Sequence, residues 1–308
     1  MTHSISGVNS LPSWKLRLLE RIQNNFANHA ELLRDGYPVY KPHFGSADAP
    51  IQTWRTHLLV LQADREELIT HALAVYVPHD AIRKAGAAGG RGERWGHSVH
   101  SPRTMREGED PVRAYMIEGV ANDIWQLEQM AAITVEHQRR ALDPNGTAGE
   151  LTEQFHRNMG TLWMRARDTS LVIGLNASER TELWDRDAAG WKWLTALTVR
   201  GQTDAQLDER QRAYSWRGIE HAARRAIESL PERKPILDPG SEPPDPEALL
   251  ARATNALNTL AAEPASPDPG GIEGIEIVFD PDRATEWDSG GPTETGLRRP
   301  DPGVGNEL

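Results

Sequence analysis

The sequence predicts an all-α protein: an N-terminal helical region with a helix-turn-helix-like hairpin, an antiparallel four-helix bundle, and a largely disordered acidic tail. Three observations predict it. Apolar residues recur every three or four positions over long stretches, the spacing of one helical face. Start and stop signals bracket these stretches, as Asp110-Pro111 and Asp143-Pro144-Asn145-Gly146 do for the longest. Acid and proline then collect at one end: residues 231–308 hold 13 of the 21 prolines and −10 of the net charge of −11.

The first helix should span about Leu11 to Arg34. Ser10 caps it, Pro12 sits in the first turn where its missing N–H costs nothing, and Gly36 stops it. Trp14, Leu18, Ile22 and Phe26 form its apolar stripe. Tyr37 to Pro50, with three prolines, reads as a connection. From Ile51 to about Gln62 the pattern of Trp54, Leu58, Val60 and Leu61 is helical, and Asp64 with Glu66-Glu67 favours a new helix start just after it.

Residues 63–85 carry the one pattern that points at a class of activity. A helix-turn-helix needs a small residue where the helices cross, a break about four residues later, and a β-branched residue packing back from the second helix. Ala72, Val77-Pro78 and Ile82 fill those slots, whereas Tyr76 stands where a turn glycine is usual. The plain alternative is an ordinary helical hairpin. Residues 1–85 are thus expected as one helical region, followed by a basic glycine-rich loop over 86–109. Six glycines fall between Gly86 and Gly108, where Arg91, Arg94, Arg103 and Arg106 follow Arg83 and Lys84. Clustered cations meet phosphates, and glycine lets backbone N–H groups come close. Asp80 argues the other way. Arginine content itself counts for nothing, because 29 of the 34 basic residues are arginine, the bias a GC-rich genome produces.

Residues 110–231 should form the bundle. Its helices are expected at Val112–Leu142, about Glu150–Leu175, Glu179–Arg200 and Asp204–Leu230, capped by Ser178 and Thr203 and closed by Pro231. Trp184 and Trp191, seven apart, share a face, and Trp193 points elsewhere beside Lys192; core packing is the default reading for these tryptophans, and an exposed Trp193 would be an interface anchor. In the tail, 232–308, a helix at 246–262 and the alternating segment Ile272–Phe279 stand out. Leu249 and Leu257 on the helix, and Ile275 and Phe279 in the strand-like run, are candidate partner-binding residues. The plain reading is a solubilising extension. An acidic tail that folds back on the basic loop is a third.

Several chemistries find little support. The chain has no cysteine, which removes disulfides and thiolate chemistry and fits a reducing cytoplasm. Met1 to Pro12 lacks a secretory pattern, and no window is apolar enough for a membrane span. Gly86 to Gly92 lacks the Gly-Lys-Ser/Thr ending of a phosphate loop and follows no strand. Glu153 and His156 form one Glu-x-x-His, with Glu118 as a conceivable third ligand. A di-iron bundle needs two such motifs, so no metal or cofactor is expected. Ser98 and Ser101 flank His97 and His100 without a nucleophile elbow. The leading expectation is a non-enzymatic nucleic-acid-associated or regulatory protein that touches double-stranded DNA through 63–85 and the arginines to 106. The bundle would then serve self-association or partner binding. The alternatives are a protein-binding scaffold of a phage, plasmid or secretion assembly, and a metal-dependent bundle enzyme.

Overall fold

The computed structural model describes residues 11–36, 50–96, 110–142, 149–231 and 242–262. Among these the regular elements are all helices: α1 (Ser13–Asp35), α2 (Pro50–Ala74), α3 (His79–Gly90), α4 (Pro111–Arg140), α5 (Gly149–Ile173), α6 (Ala177–Trp184), α7 (Ala188–Val199), α8 (Asp204–Tyr214), α9 (Arg217–Glu228) and α10 (Pro246–Ala262). The all-α class expected from the periodicity is what the protein has. None of these helices is long and apolar enough to cross a membrane.

The 30-residue α4 is the axis of the fold. Asp110 caps it by accepting a bond from the Val112 N–H (2.9 Å), with Pro111 in the first turn. From Val120 to Ile133 nearly every side chain is buried, because α1, α5, α6, α7, α8 and α10 all pack on it. The buried surface therefore extends around the helix rather than along one stripe, and it takes in Asp123, Glu128, Gln129 and Glu136 as well as apolar side chains. The stripe of α1 is buried as its spacing required, with Trp14, Leu18, Ile22 and Phe26 all inside. One contiguous cluster of buried apolar side chains runs from Leu11 to Ala256, so no gap in the core separates residues before 110 from those after it.

Four elements depart from expectation, each for a tertiary reason. Residues 51–62 and the segment after them form one helix, α2. Nothing between Gln62 and Arg65 breaks it, and Gln62 donates to Glu66 one turn on (3.2 Å). The glycine-rich loop expected from Gly86 begins only at Arg91, since α3 runs through Gly86 and Gly89 to Gly90. The helix expected over Glu179–Arg200 is broken at Asp185-Arg186-Asp187, where Asp187 caps α7 by accepting from the Gly190 N–H (2.7 Å). The helix expected over Asp204–Leu230 is broken at Ser215-Trp216. There the buried Asn158 amide donates to the carbonyls of Tyr214 (2.6 Å) and Trp216 (2.9 Å), replacing partners that the break removes. The described residues of 110–231 therefore hold six helices, not four.

The helix at 246–262 belongs to the body. Asp245 caps α10 by accepting from the Ala248 N–H (2.7 Å). Leu249, Ala253 and Ala256, at helical spacing, are buried where α10 packs against α4 and α7. The expectation that Leu249 and Leu257 await a separate partner is thereby corrected. Leu249 is a core residue, and Leu257 packs at the core's edge.

Candidate nucleic-acid interface

The hairpin is built from its turn. At the end of α2 the Val77 N–H donates to the Ala72 carbonyl (2.9 Å) and the Tyr76 N–H to the Leu73 carbonyl (3.0 Å). This paired closure needs a left-handed residue between helix and exit, usually glycine. Tyr76 takes that role at φ 58°, which costs a non-glycine residue about 1–2 kcal/mol. Its ring is compensated by the Arg186 guanidinium, 6.0 Å from the ring centroid. Ala72, Val77 and Ile82, the slot residues, are all buried. Pro78 then opens α3.

Helix α3 rests mainly on α1 rather than on α2. Gly86 faces the Phe26 ring, and Gly89 lies directly over the Gln23 backbone. These two glycines are therefore contact surfaces inside a helix, and their absent side chains are what lets α1 and α3 approach. They do not form the phosphate-cradling loop read from composition.

The opposite side of α3 is exposed and carries Asp80, Arg83 and Lys84, with Arg91 exposed just past the end of the helix. Their charges are partly met at home. Arg83 pairs with Asp80 (2.7 Å) and Arg91 with Glu93 (2.7 Å), while Arg94 reaches Glu31 of α1 (2.7 Å). The Arg83 guanidinium, by hydrogen bond and by charge, holds the Asp80 carboxyl below its ordinary range. From residue 79 to 96 the balance is four cations against two carboxylates, leaving a modest positive face. Arg103, Arg106, His97 and His100 lie outside the described residues, as do Ile275 and Phe279. Trp193 is 38 % exposed, while Trp184 and Trp191 are buried.

The Glu-x-x-His pair does not converge with a third ligand. Glu153 pairs with Arg157 (3.7 Å), His156 packs edge-on to Phe155, and Glu118 is held by Arg17 (3.3 Å). Among the described residues no group of three or more His, Asp or Glu is arranged to hold a metal ion.

Two buried features were not legible in advance. Arg186, between α6 and α7, enters the body and donates to both carboxylate oxygens of Glu128 (2.8 and 3.1 Å) and to the Ala74 carbonyl at the end of α2. Desolvation opposes the charge on Arg186, and the Glu128 carboxylate more than offsets it. Burial pushes the Glu128 carboxyl the other way, up from its ordinary value. Arginine keeps its proton in proteins and the contact is two-pronged, so we take the pair as ionised. The second feature is His71, buried and stacked on Trp125 with centroids 5.0 Å apart and planes 6° from parallel. Burial, with Arg21 and Arg186 nearby, lowers its pKa to about 3.

That shift sets a pH dependence. The folded imidazole stays neutral down to about pH 3, whereas the unfolded one protonates near 6.5. Between those values the unfolded chain holds the extra proton, so stability falls as pH falls. Relative to His71→Phe, the native protein should lose about 1.4 kcal/mol per pH unit below about pH 6 in urea titrations. A pH-independent difference would show that His71 is not neutral in the folded state.

No protein family, curated protein or solved structure matches the chain. The function of the hairpin therefore has to be argued from its own chemistry.

Proposed function

We propose that this chain is a non-enzymatic, nucleic-acid-associated regulatory protein that rests the outer face of α3 on the phosphates of a DNA duplex. The observation that supports it most is the turn. Tyr76 accepts a left-handed conformation to set α3 across the end of α2, and the opposite face of α3 carries Arg83 and Lys84 in solvent, with Arg91 just past its end. Ala87 and Gly90, also on that face, leave little between the helix backbone and an approaching strand. Asp80 stands in the first turn, where base-reading helices usually make their contacts, and it repels phosphate there. The reading is accordingly one of backbone contact with low sequence preference.

The test is binding of the full chain to a labelled random duplex across a salt series, beside Arg83→Ala/Lys84→Ala/Arg91→Ala. Each phosphate contact contributes about 0.9 to the slope of log affinity against log salt, so the triple variant should flatten that slope by roughly 3. Absence of binding at low salt would turn the hairpin into architecture alone.

One observation favours a second reading, a protein-binding scaffold. Leu59 and Val60, neighbours on α2, are 65 % and 58 % exposed. Adjacent exposed aliphatic side chains on a helix are material for a protein interface. If the duplex fails to bind, this face becomes the first place to look.

A further inference from the structure

Leu58-Leu59-Val60-Leu61 puts four aliphatic residues in a row near the middle of α2. At about 100° per residue such a run goes most of the way round a helix, so no single buried face can take all of it. Leu58 and Leu61 are half-buried, whereas Leu59 and Val60 are left in solvent. Consecutive exposed apolar residues are a liability unless something covers them. Leu59 also belongs to a longer row. Gln52, Thr56, Leu59 and Ala63 follow one another at intervals of four, three and four, and all of them are exposed. That is the spacing with which one helix lays a seam along another.

The charges along the edge of this seam say what fits it. Arg55 and Glu66 are both exposed. The eleven steps between them climb about 16 Å and make three turns to within about 20°, which returns Glu66 to the edge that Arg55 occupies. Leu59 lies between them. The edge thus reads cation, apolar, anion, and its complement is the same edge run backwards. Two copies of α2 laid antiparallel about a two-fold axis near Val60 set each Arg55 against Glu66 of the other copy, and each Leu59 over the small Ala63 of the other. Laid parallel, they would set Arg55 against Arg55 and Glu66 against Glu66. Among the described residues neither Arg55 nor Glu66 is in an ion pair, and Glu66 only accepts from Gln62 of its own helix (3.2 Å). A phosphate backbone or an anionic lipid surface would meet Glu66 and two aliphatic side chains here, so neither suits this face.

We propose that the outer face of α2 is a two-fold, antiparallel contact between two copies of this chain. Leu59 and Ala63 form its centre, Val60 flanks them, and an Arg55–Glu66 pair closes it at either end. Gln52, Arg55, Thr56, Leu59, Val60, Ala63 and Glu66 make seven exposed side chains per copy, against about 20–30 in a standard interface. The dimer is therefore reversible, with a Kd of about 10–100 µM. No residue of the α3 face takes part, so the inference is independent of the DNA reading. It differs from the scaffold reading in naming a second copy as what covers Leu59 and Val60.

The experiment is sedimentation equilibrium of the full chain, without DNA, from about 1 to 300 µM. The expected result is a monomer–dimer equilibrium within that range. Leu59→Lys, which puts two cations at the centre of the contact, should abolish it. Arg55→Glu and Glu66→Arg each bring like charges together at both ends, and each should weaken dimerisation by about tenfold. An equimolar mixture of those two variants restores opposite charges at both ends, so it should associate about tenfold more tightly than either variant alone. Arg55→Glu/Glu66→Arg in one chain should dimerise as the unaltered protein does. All three positions are exposed, and thermal unfolding should be unchanged in every variant. A chain that stays monomeric to about 300 µM, a dimer indifferent to Leu59→Lys, or a mixture no tighter than its components would overturn the proposal. The first result would leave the face to a different protein, the second would move the contact elsewhere, and the third would rule out the antiparallel arrangement. None of them bears on the duplex experiment, which stands by itself.

Discussion

Arg186→Met should lower the unfolding free energy by about 3–5 kcal/mol, among the largest losses available to a single side chain in this protein. Its side chain is 6 % exposed and that of Glu128 is 1 % exposed, so neither charge has water to fall back on. Removing the guanidinium leaves a carboxylate sealed inside α4 without its counter-charge. It also takes a donor from the Ala74 carbonyl and the cation from the Tyr76 ring. The asymmetry of buried pairs provides the check. Breaking one partner is costly, whereas replacing both by apolar groups of similar size is often nearly neutral. Urea unfolding should therefore show the double variant Arg186→Met/Glu128→Leu recovering most of the loss. Arg217→Ala, which removes an exposed pairing with Glu150, should leave the midpoint where it was. A double variant as unstable as Arg186→Met alone would mean that the Ala74 and Tyr76 contacts, not the Glu128 charge, carry the effect.

That clamp explains why part of the fold could be read from the sequence and part could not. Helices α1, α4, α5 and α10 announce themselves because their causes are local: an apolar stripe, an Asp-Pro start, a glycine or proline stop. The burial of Ala72, Val77 and Ile82 follows from spacing for the same reason. The break at Asp185-Arg186-Asp187 has a distant cause, since Glu128 lies 58 residues away and Ala74 lies 112 away. The break at Ser215-Trp216 likewise depends on Asn158 from α5. The candidate interface was legible as a run of cations but not as a balance of charge. Arg94 finds Glu31 across 63 residues, which no count along the chain reveals.

Gly89→Ala should destabilise the protein by about 2 kcal/mol or more, against the helix propensity of the new residue. In an open helix alanine gains up to about 1 kcal/mol over glycine, so composition alone predicts the opposite sign. At Gly89 the added methyl would stand 2.5 Å from the Phe26 Cβ and closer still to the Gln23 carbonyl oxygen. The latter is backbone inside α1 and cannot rotate away, so α3 must lift from α1 along its length. Two neighbours separate this cause from any general effect of glycine. At Gly90 the methyl meets nothing within 4 Å, so Gly90→Ala should be neutral or slightly stabilising. At Gly86 it meets only the Phe26 ring at 3.2 Å, which can tilt, so Gly86→Ala should fall between. Thermal unfolding of the three variants tests the order, and a Gly89→Ala protein as stable as Gly90→Ala would show that α1 and α3 are not in this contact. The same series bears on function, because α1 is the support on which α3 rests. If α3 carries the duplex contacts, Gly89→Ala should weaken them at temperatures where the variant is still folded, with all the cations of α3 in place.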